Sequence, residues 1–256
     1  MTLFHSIILG LVEGFTEFLP ISSTAHLILT GKILGLAQNE FNTFFEVFIQ
    51  SGAILAVLLV FFKKIMVDQA LIKKTFVSFI PTALIGFLLH DIIKTVFFDS
   101  LQLITFSLFF IGIIFLVIEK KVKNNHKTIK KMSYREAIII GLFQSFAVVP
   151  GVSRAGIVII SMLLLGYKRE DSVYYTFILA IPTILAASAL DFIKLDWNIL
   201  TIDKSILILA GTLVSFFSAL ICIKWFISYV ENKTMKIFGL YRIALAVVIL
   251  FFLLLK

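Results

Sequence analysis

Two glutamates four residues apart, Glu13 and Glu17, are followed by Ser22, Ser23, Thr24 and His26 in the stretch EGFTEFLPISSTAH. Helical spacing puts both carboxylates on one face. Like charges so placed repel, and carboxylates in an apolar surround are costly. A divalent cation, a facing arginine or a shared proton has to offset them, unless they are helix-end groups touching headgroup water. The hydroxyl run follows Pro20, where one helix stops and another begins. Each hydroxyl there is either a cap for the new helix or part of an anion site made by its free N–H groups and dipole. His26 has the chemistry of a general base or phosphoryl acceptor near neutral pH; its bland alternative is an interhelical hydrogen bond.

A second polar stretch, GLFQSFAVVPGVSRAG, begins at Gly141, about 131 residues after Gly10. Arg154 sits there between apolar segments and needs an anionic partner. A phosphate matches its planar fork of donors, and an ion pair with Glu13 or Glu17 is the structural alternative. Ser22, Thr24, Ser153 and Gly151 are the candidates to line a phosphate beside Arg154, with Gly151 and Gly156 allowing close backbone approach. Gln144 falls near the repeat position of Glu13, and Glu46 and Gln50 share a helix face that could flank the site. No Gly-rich nucleotide loop, CxxC, HExxH or Asp-rich metal box is present, so ATP-driven or haem chemistry has no sequence support.

The composition says what surrounds these groups. Of 256 residues, 60% are hydrophobic, 15% are charged and 28 are phenylalanine. A soluble chain of this length needs more polar surface, and repeated long apolar runs indicate several transmembrane helices. The runs are too long and continuous for barrel strands, so an all-α integral membrane fold is expected. A net charge of +8 would be a nucleic-acid cue in a soluble domain. Here the bases collect in short inter-helix segments, where topology and anionic membrane lipids account for them. No nucleic-acid partner is expected. The single cysteine, Cys222, reads as a buried small side chain, and MTLFHSIILGLVEG lacks the basic leader of a cleavable secretory segment.

The polar islands must be positioned by helices. Residues 2–17 and about 23–36 predict two short helices around the Pro20 break, a re-entrant hairpin over 2–36. Three spans follow at roughly 41–62, 75–91 and 101–119, closing a first repeat of residues 1–119. A basic linker, 120–131, carries Lys120, Lys121, Lys123, Lys127, Lys130 and Lys131. The second repeat, 132–256, has the same order: a hairpin over 134–165 broken at Pro150–Gly151, then spans near 172–190, 205–229 and 237–255. Pro81 and Pro182 are expected to kink their helices.

Basic loops face the cytoplasm. Four bases follow residue 62 (Lys63, Lys64, Lys73, Lys74), six fill the linker, and pairs lie at Lys168–Arg169 and Lys233–Lys236. The alternate loops are poorer, with Lys94 beside Asp91 and Asp99, and Lys194 and Lys204 beside Asp191, Asp196 and Asp203. The first hairpin therefore opens outward and the second inward. Three spans per half is an odd number, which makes the repeats inverted. Six spans and two re-entrant hairpins result, the hairpins meeting in the bilayer and bringing Glu13, Glu17, Ser23 and His26 to Ser153 and Arg154.

Residues 13–26 resemble the E-G-x-T-E-F-L-P-x-S-S-T-G-H motif of the undecaprenyl-diphosphate phosphatase family, the bacitracin-resistance type of bacterial integral membrane enzyme. PGVSRAG, residues 150–156, resembles its P-G-x-S-R-S-G segment, and 45–57 and 177–187 also look family-like. The resemblance implies hydrolysis of the terminal phosphate of undecaprenyl diphosphate in the bacterial plasma (inner) membrane, with the polyprenyl diphosphate lipid as substrate. It implies catalytic roles for Glu13, Glu17, Ser23, His26 and Arg154, and a divalent cation, Mg2+ or Ca2+, held by Glu13 and Glu17. The cavity is expected to open to the extracytoplasmic side. A homodimer is compatible with the sequence, which does not fix the oligomeric state. Ala25, Ala155 and Val158 stand where the family has glycine, serine and threonine. Whether Ser23 or His26 is the nucleophile stays open at this level. The rival reading is an inverted-repeat transporter or flippase for a phosphate-containing lipid or anion.

Overall fold

Every regular element among the described residues is helical, apart from one isolated parallel bridge between Lys127 and Tyr167. The computed structural model describes residues 1–92, 100–122 and 125–255. Lys94, Asp99 and Lys123, used above to orient the chain, lie outside them, as does the side chain of Asp91. In the first half, α1 covers Leu3–Thr16, α2 Ser23–Ile33, α3 Glu40–Phe48, α4 Gln50–Val67, α5 Gln69–Ile92 and α6 Leu101–Lys121. In the second half, α7 covers Tyr134–Ser145, α8 Arg154–Leu164, α9 Arg169–Lys194, α10 Ile202–Asn232 and α11 Lys236–Leu254.

Among the described residues six segments are long and apolar enough to cross a membrane: Glu40–Val67, Gln69–Leu89, α6, α9, α10 and α11. The chain is a multi-pass membrane protein by this measure. Its outer surface agrees, with Leu84, Phe87, Phe106, Leu209, Phe217 and Phe251 all exposed, which lipid tolerates and water does not.

Helix boundaries differ from the sequence reading where local caps decide them. FFKKIMVDQALIKK reads as a loop, yet only Asp68 interrupts helix there. Its Oδ1 accepts the Leu71 N–H at 2.9 Å and so restarts the helix at once. The span expected over 41–62 is itself broken at Ile49, between α3 and α4. There the Ser51 hydroxyl takes the Phe48 carbonyl at 2.6 Å, competing with the helical ladder. Pro81 and Pro182 lie inside α5 and α9.

The linker packs instead of hanging free. The Lys127 N–H donates to Gly166 O at 3.1 Å, the Ile129 N–H reaches Asp171 Oδ2 at 3.1 Å, and the Lys127 ammonium pairs with Glu136. Burial pushes the Glu136 carboxyl up, but hydrogen bonds from Lys127, Ser133 and Tyr167 outweigh it and hold its pKa at about 2.

Packing pairs follow a pattern. Helix α1 packs on α10 as α7 packs on α5; α4 packs on α10 as α9 packs on α5; α6 meets α11 and α4 meets α9. Exchanging the two halves turns α1–α10 into α7–α5 and α4–α10 into α9–α5, and returns α6–α11 and α4–α9 to themselves. Where α6 crosses α11, Gly112 and Gly239 touch backbone to backbone, and a Cβ built on either would lie 2.9 Å from the other's carbonyl oxygen. Only glycine permits that approach.

Candidate active site

Each short helix pair is interrupted in the same manner. After α1, Pro20 supplies no N–H and excludes helix before it. Glu17 nevertheless keeps helical angles (φ −61°, ψ −42°), and its N–H still bonds Glu13 O at 2.9 Å, so both carboxylates stay on one face. Helix α2 then starts from Ser22, at φ 74° and ψ 91°, whose Oγ accepts the Ala25 N–H at 3.4 Å. Helix α8 starts from Ser153, at φ 73° and ψ 114°, whose Oγ accepts the Gly156 N–H at 3.1 Å. Among the described residues these two serines are the only non-glycine positions with positive φ. Such backbone costs about 1–3 kcal/mol per residue and persists where the surroundings enforce it. Both caps leave the first two N–H groups of their helix without an intrahelical acceptor.

Glu17 is where the two breaks touch. Its Oε2 accepts the Ser23 hydroxyl, and its Oε1 accepts Arg154 Nη2 at 2.7 Å. Arg154 Nη1 donates to the Thr176 carbonyl at 2.8 Å, and the guanidinium lies 5.9 Å from the Phe18 ring centroid. Side-chain exposure is 10% for Arg154 and 6% for Glu17. A pair this dry, once broken, leaves an uncompensated buried charge, at a cost of about 3–5 kcal/mol. Glu13, one turn earlier and fully buried, finds no hydrogen-bond partner for either oxygen, and Arg154 Nε is likewise unspent. Among the described residues no three His, Cys, Asp or Glu side chains gather as a metal shell.

A cavity of about 580 Å3 opens on this cluster. Glu17, Ser22, Ser23, Thr24, Gly151, Ser153 and Arg154 line its polar end; α5 and α9 contribute apolar walls that include Phe79, Phe87, Ile184 and Ile193. Such a lining suits a molecule with an anionic head and an apolar body. Gln144 donates to the Thr82 and Thr183 hydroxyls at 2.9 and 3.2 Å, while its Oε1 is buried without a hydrogen-bond partner.

Two expected residues are not on the cavity wall. Glu13 lies behind Glu17. His26 is turned aside, with Nδ1 2.7 Å from Ser22 O and Nε2 2.7 Å from the Tyr241 hydroxyl, its ring stacked on Tyr241 at 5.6 Å. Ser22 and Ser153 spend their hydroxyl oxygens as caps, while Ser23 meets Glu17. Gln50 reaches the wall; Glu46 is buried on α3 away from it. Ala155 and Val158 are both fully buried, Val158 within the main apolar core.

Sequence reasoning missed Arg242 and Tyr241, which lay inside an apolar run, and Asp191, which served only as a loop charge. Asp191 is buried on the cavity wall. Arg242 is fully buried and donates to Pro20 O at 3.0 Å, to Gly151 O and to Val152 O at 3.2 Å. The available signal was a lone arginine within a span, which always requires partners.

The chain matches the family model described as "Bacitracin resistance protein BacA" over residues 6–248. It is 44% identical over 250 residues to the undecaprenyl-diphosphatase of Sulfurihydrogenibium sp. (strain YO3AOP1), covering 96% of this chain and 98% of that protein. The undecaprenyl-diphosphatase of Campylobacter fetus subsp. fetus (strain 82-40) is 44% identical over 261 residues, covering 99% and 100%. That of Aquifex aeolicus (strain VF5) is 41% identical over 257 residues, covering 97% of both. With similarity running across almost the whole length, helices and cavity-lining segments included, the chain belongs to the bacitracin resistance protein BacA family.

Proposed function

We propose that the chain is a membrane phosphatase that hydrolyses the terminal phosphate of undecaprenyl diphosphate to give undecaprenyl phosphate and inorganic phosphate, recycling the carrier lipid of cell-wall synthesis. One observation carries this reading beyond family membership: Glu17 holds the Ser23 hydroxyl from one break and Arg154 from the other, at the polar end of a cavity whose remaining walls are mostly apolar.

The chemistry follows from those contacts. The terminal phosphate displaces Glu17 from part of the Arg154 fork and takes the unspent N–H groups at the starts of α2 and α8. Ser23 Oγ attacks the terminal phosphorus in line and passes its proton to Glu17 Oε2. The bond from that phosphorus to the bridging oxygen breaks, and undecaprenyl phosphate leaves. Water then attacks the phosphoserine and releases inorganic phosphate, with Glu17 returning the proton to Ser23. Positive charge and fixed donors at the breaks stabilise the transferring group. His26, held by Ser22 O and Tyr241, sets the orientation of the first turn of α2. The unpartnered, buried carboxylate of Glu13 suits a Mg2+ or Ca2+ ion, with Glu17 beside it; such an ion would supply further neutralisation of the phosphate.

The same reading covers the architecture. The short helices α1/α2 and α7/α8 are two re-entrant hairpins of inverted repeats, residues 1–119 and 132–256 joined by the linker 120–131. The near-identical serine caps and the exchange of packing pairs support this. The cavity faces the extracytoplasmic side of the plasma membrane, as the basic loops imply. Purified protein in detergent should release inorganic phosphate from undecaprenyl diphosphate, and Arg154→Ala should not. Uptake of the labelled lipid or of phosphate into proteoliposomes without hydrolysis would favour a carrier instead.

A further inference from the structure

Two arginines stand behind the breaks, and only one of them faces the cavity. Arg154 lines it; Arg242, on α11, is fully buried and not part of its lining. Arg242 reaches both interruptions at once. Nη1 donates to Pro20 O, two residues before the Ser22 cap, at 3.0 Å. Nη2 donates to Gly151 O and, at 3.2 Å, to Val152 O, immediately before the Ser153 cap. Among the described residues no carboxylate forms an ion pair with it.

These carbonyls sit where the chain leaves one helix and has not yet entered the next, so no helical ladder satisfies them. A buried carbonyl left alone is costly, and a guanidinium with five donors in a rigid fork can bind three of them from two segments. An ammonium presents its donors from a single nitrogen and does not span the same separation. The residue before it, Tyr241, holds His26 at the start of α2. One turn of α11 therefore fastens the Glu17–Ser23 segment to the Gly151–Arg154 segment.

We propose that Arg242 is a positioning residue for phosphoryl transfer: it fixes the two breaks against each other, so that Ser23 and Arg154 meet the same phosphate. The proposal rests on the phosphatase reading of the site. It has a kinetic signature, since misplacement of about 1 Å can cost roughly a hundredfold in rate and loss of alignment lowers kcat more than it raises KM.

The test uses full-length protein in detergent, as wild type, Arg242→Gln and Arg242→Lys, with folding checked by gel filtration and circular dichroism. Phosphate release is measured across undecaprenyl diphosphate concentrations. In parallel, spin labels at exposed Phe15 and Phe146, in a Cys222→Ser background, report the separation of the two short helix pairs by pulsed electron resonance. Folded Arg242→Gln should lose at least tenfold in kcat with KM within threefold, and its distance distribution should broaden; Arg242→Lys should recover part of both. A change in only one readout, or in neither, overturns the assignment. Failure of both variants to fold also overturns it, by making Arg242 a residue of the bundle rather than of the site. If wild-type protein releases no phosphate, the phosphatase reading fails, and the distance measurement alone decides whether Arg242 joins the breaks.

Discussion

Replacing Glu17 by glutamine keeps the shape of the one side chain that touches both breaks and removes its charge. Glu17 accepts from Ser23 with one oxygen and from Arg154 with the other. The amide retains a single acceptor, so its NH2 must face either the Ser23 hydroxyl or the guanidinium, and Arg154 loses its buried counter-charge. With exposures of 6% and 10% for the two side chains, solvent does little to soften this. Breaking such a pair costs about 3–5 kcal/mol; if that loss falls on the transition state, turnover drops roughly 10²- to 10⁴-fold. The assay is phosphate release from undecaprenyl diphosphate at saturating substrate, with thermal denaturation run on the same preparations. A folded Glu17→Gln protein within tenfold of wild-type kcat would refute the proton-acceptor and alignment roles together.

Ser22 and Ser23 should separate cleanly: Ser23→Ala should lower kcat at least about a thousandfold with little change in KM. Ser22→Ala should cost about 1 kcal/mol of stability through its lost cap and leave turnover within tenfold, and reversed results would exchange their roles. Gly112→Ala places a methyl 2.9 Å from Gly239 O and 2.9 Å from Ile243 Cγ1. It should destabilise the bundle by about 1–3 kcal/mol, read as a lower melting temperature in detergent. At the linker, Glu136 has a folded pKa of about 2 against an ordinary 4.5. Its contribution is therefore complete above about pH 4.5 and lost as pH falls towards 2. Amide protection over residues 125–136, taken relative to the intrinsic exchange rate at each pH, should fall across that window, and a Glu136→Gln protein should show the reduced protection at neutral pH.

What the sequence revealed depended on how locally each feature is encoded. The six spans follow from apolar length, which the bilayer thickness makes nearly sufficient. Glu13 and Glu17 share a face because helical spacing requires it, and Pro20 marks the break without help from tertiary contacts. The juxtaposition of Glu17 with Arg154, 137 residues apart, was reachable only through the repeat argument, with a resemblance to support it. Helix ends were less legible, since the Asp68 cap and the Ser51 hydroxyl each move a boundary by a single hydrogen bond. The positive φ of Ser22 and Ser153 leaves no trace in composition. Arg242 was hidden because its partners are backbone carbonyls, which every residue carries and no motif records. His26 shows the converse: a residue type suited to catalysis whose ring nitrogens are both engaged beside the cavity rather than in it.

In the proposed reaction a serine from one break attacks a phosphate held by the arginine of the other. Single-turnover reaction with undecaprenyl diphosphate labelled in its terminal phosphate, quenched in acid and digested, tests it most directly. The label should appear transiently on the peptide containing Ser23, and vanish in Ser23→Ala and Arg154→Ala proteins. Label on His26, or continued hydrolysis by Ser23→Ala at the wild-type rate, would contradict it.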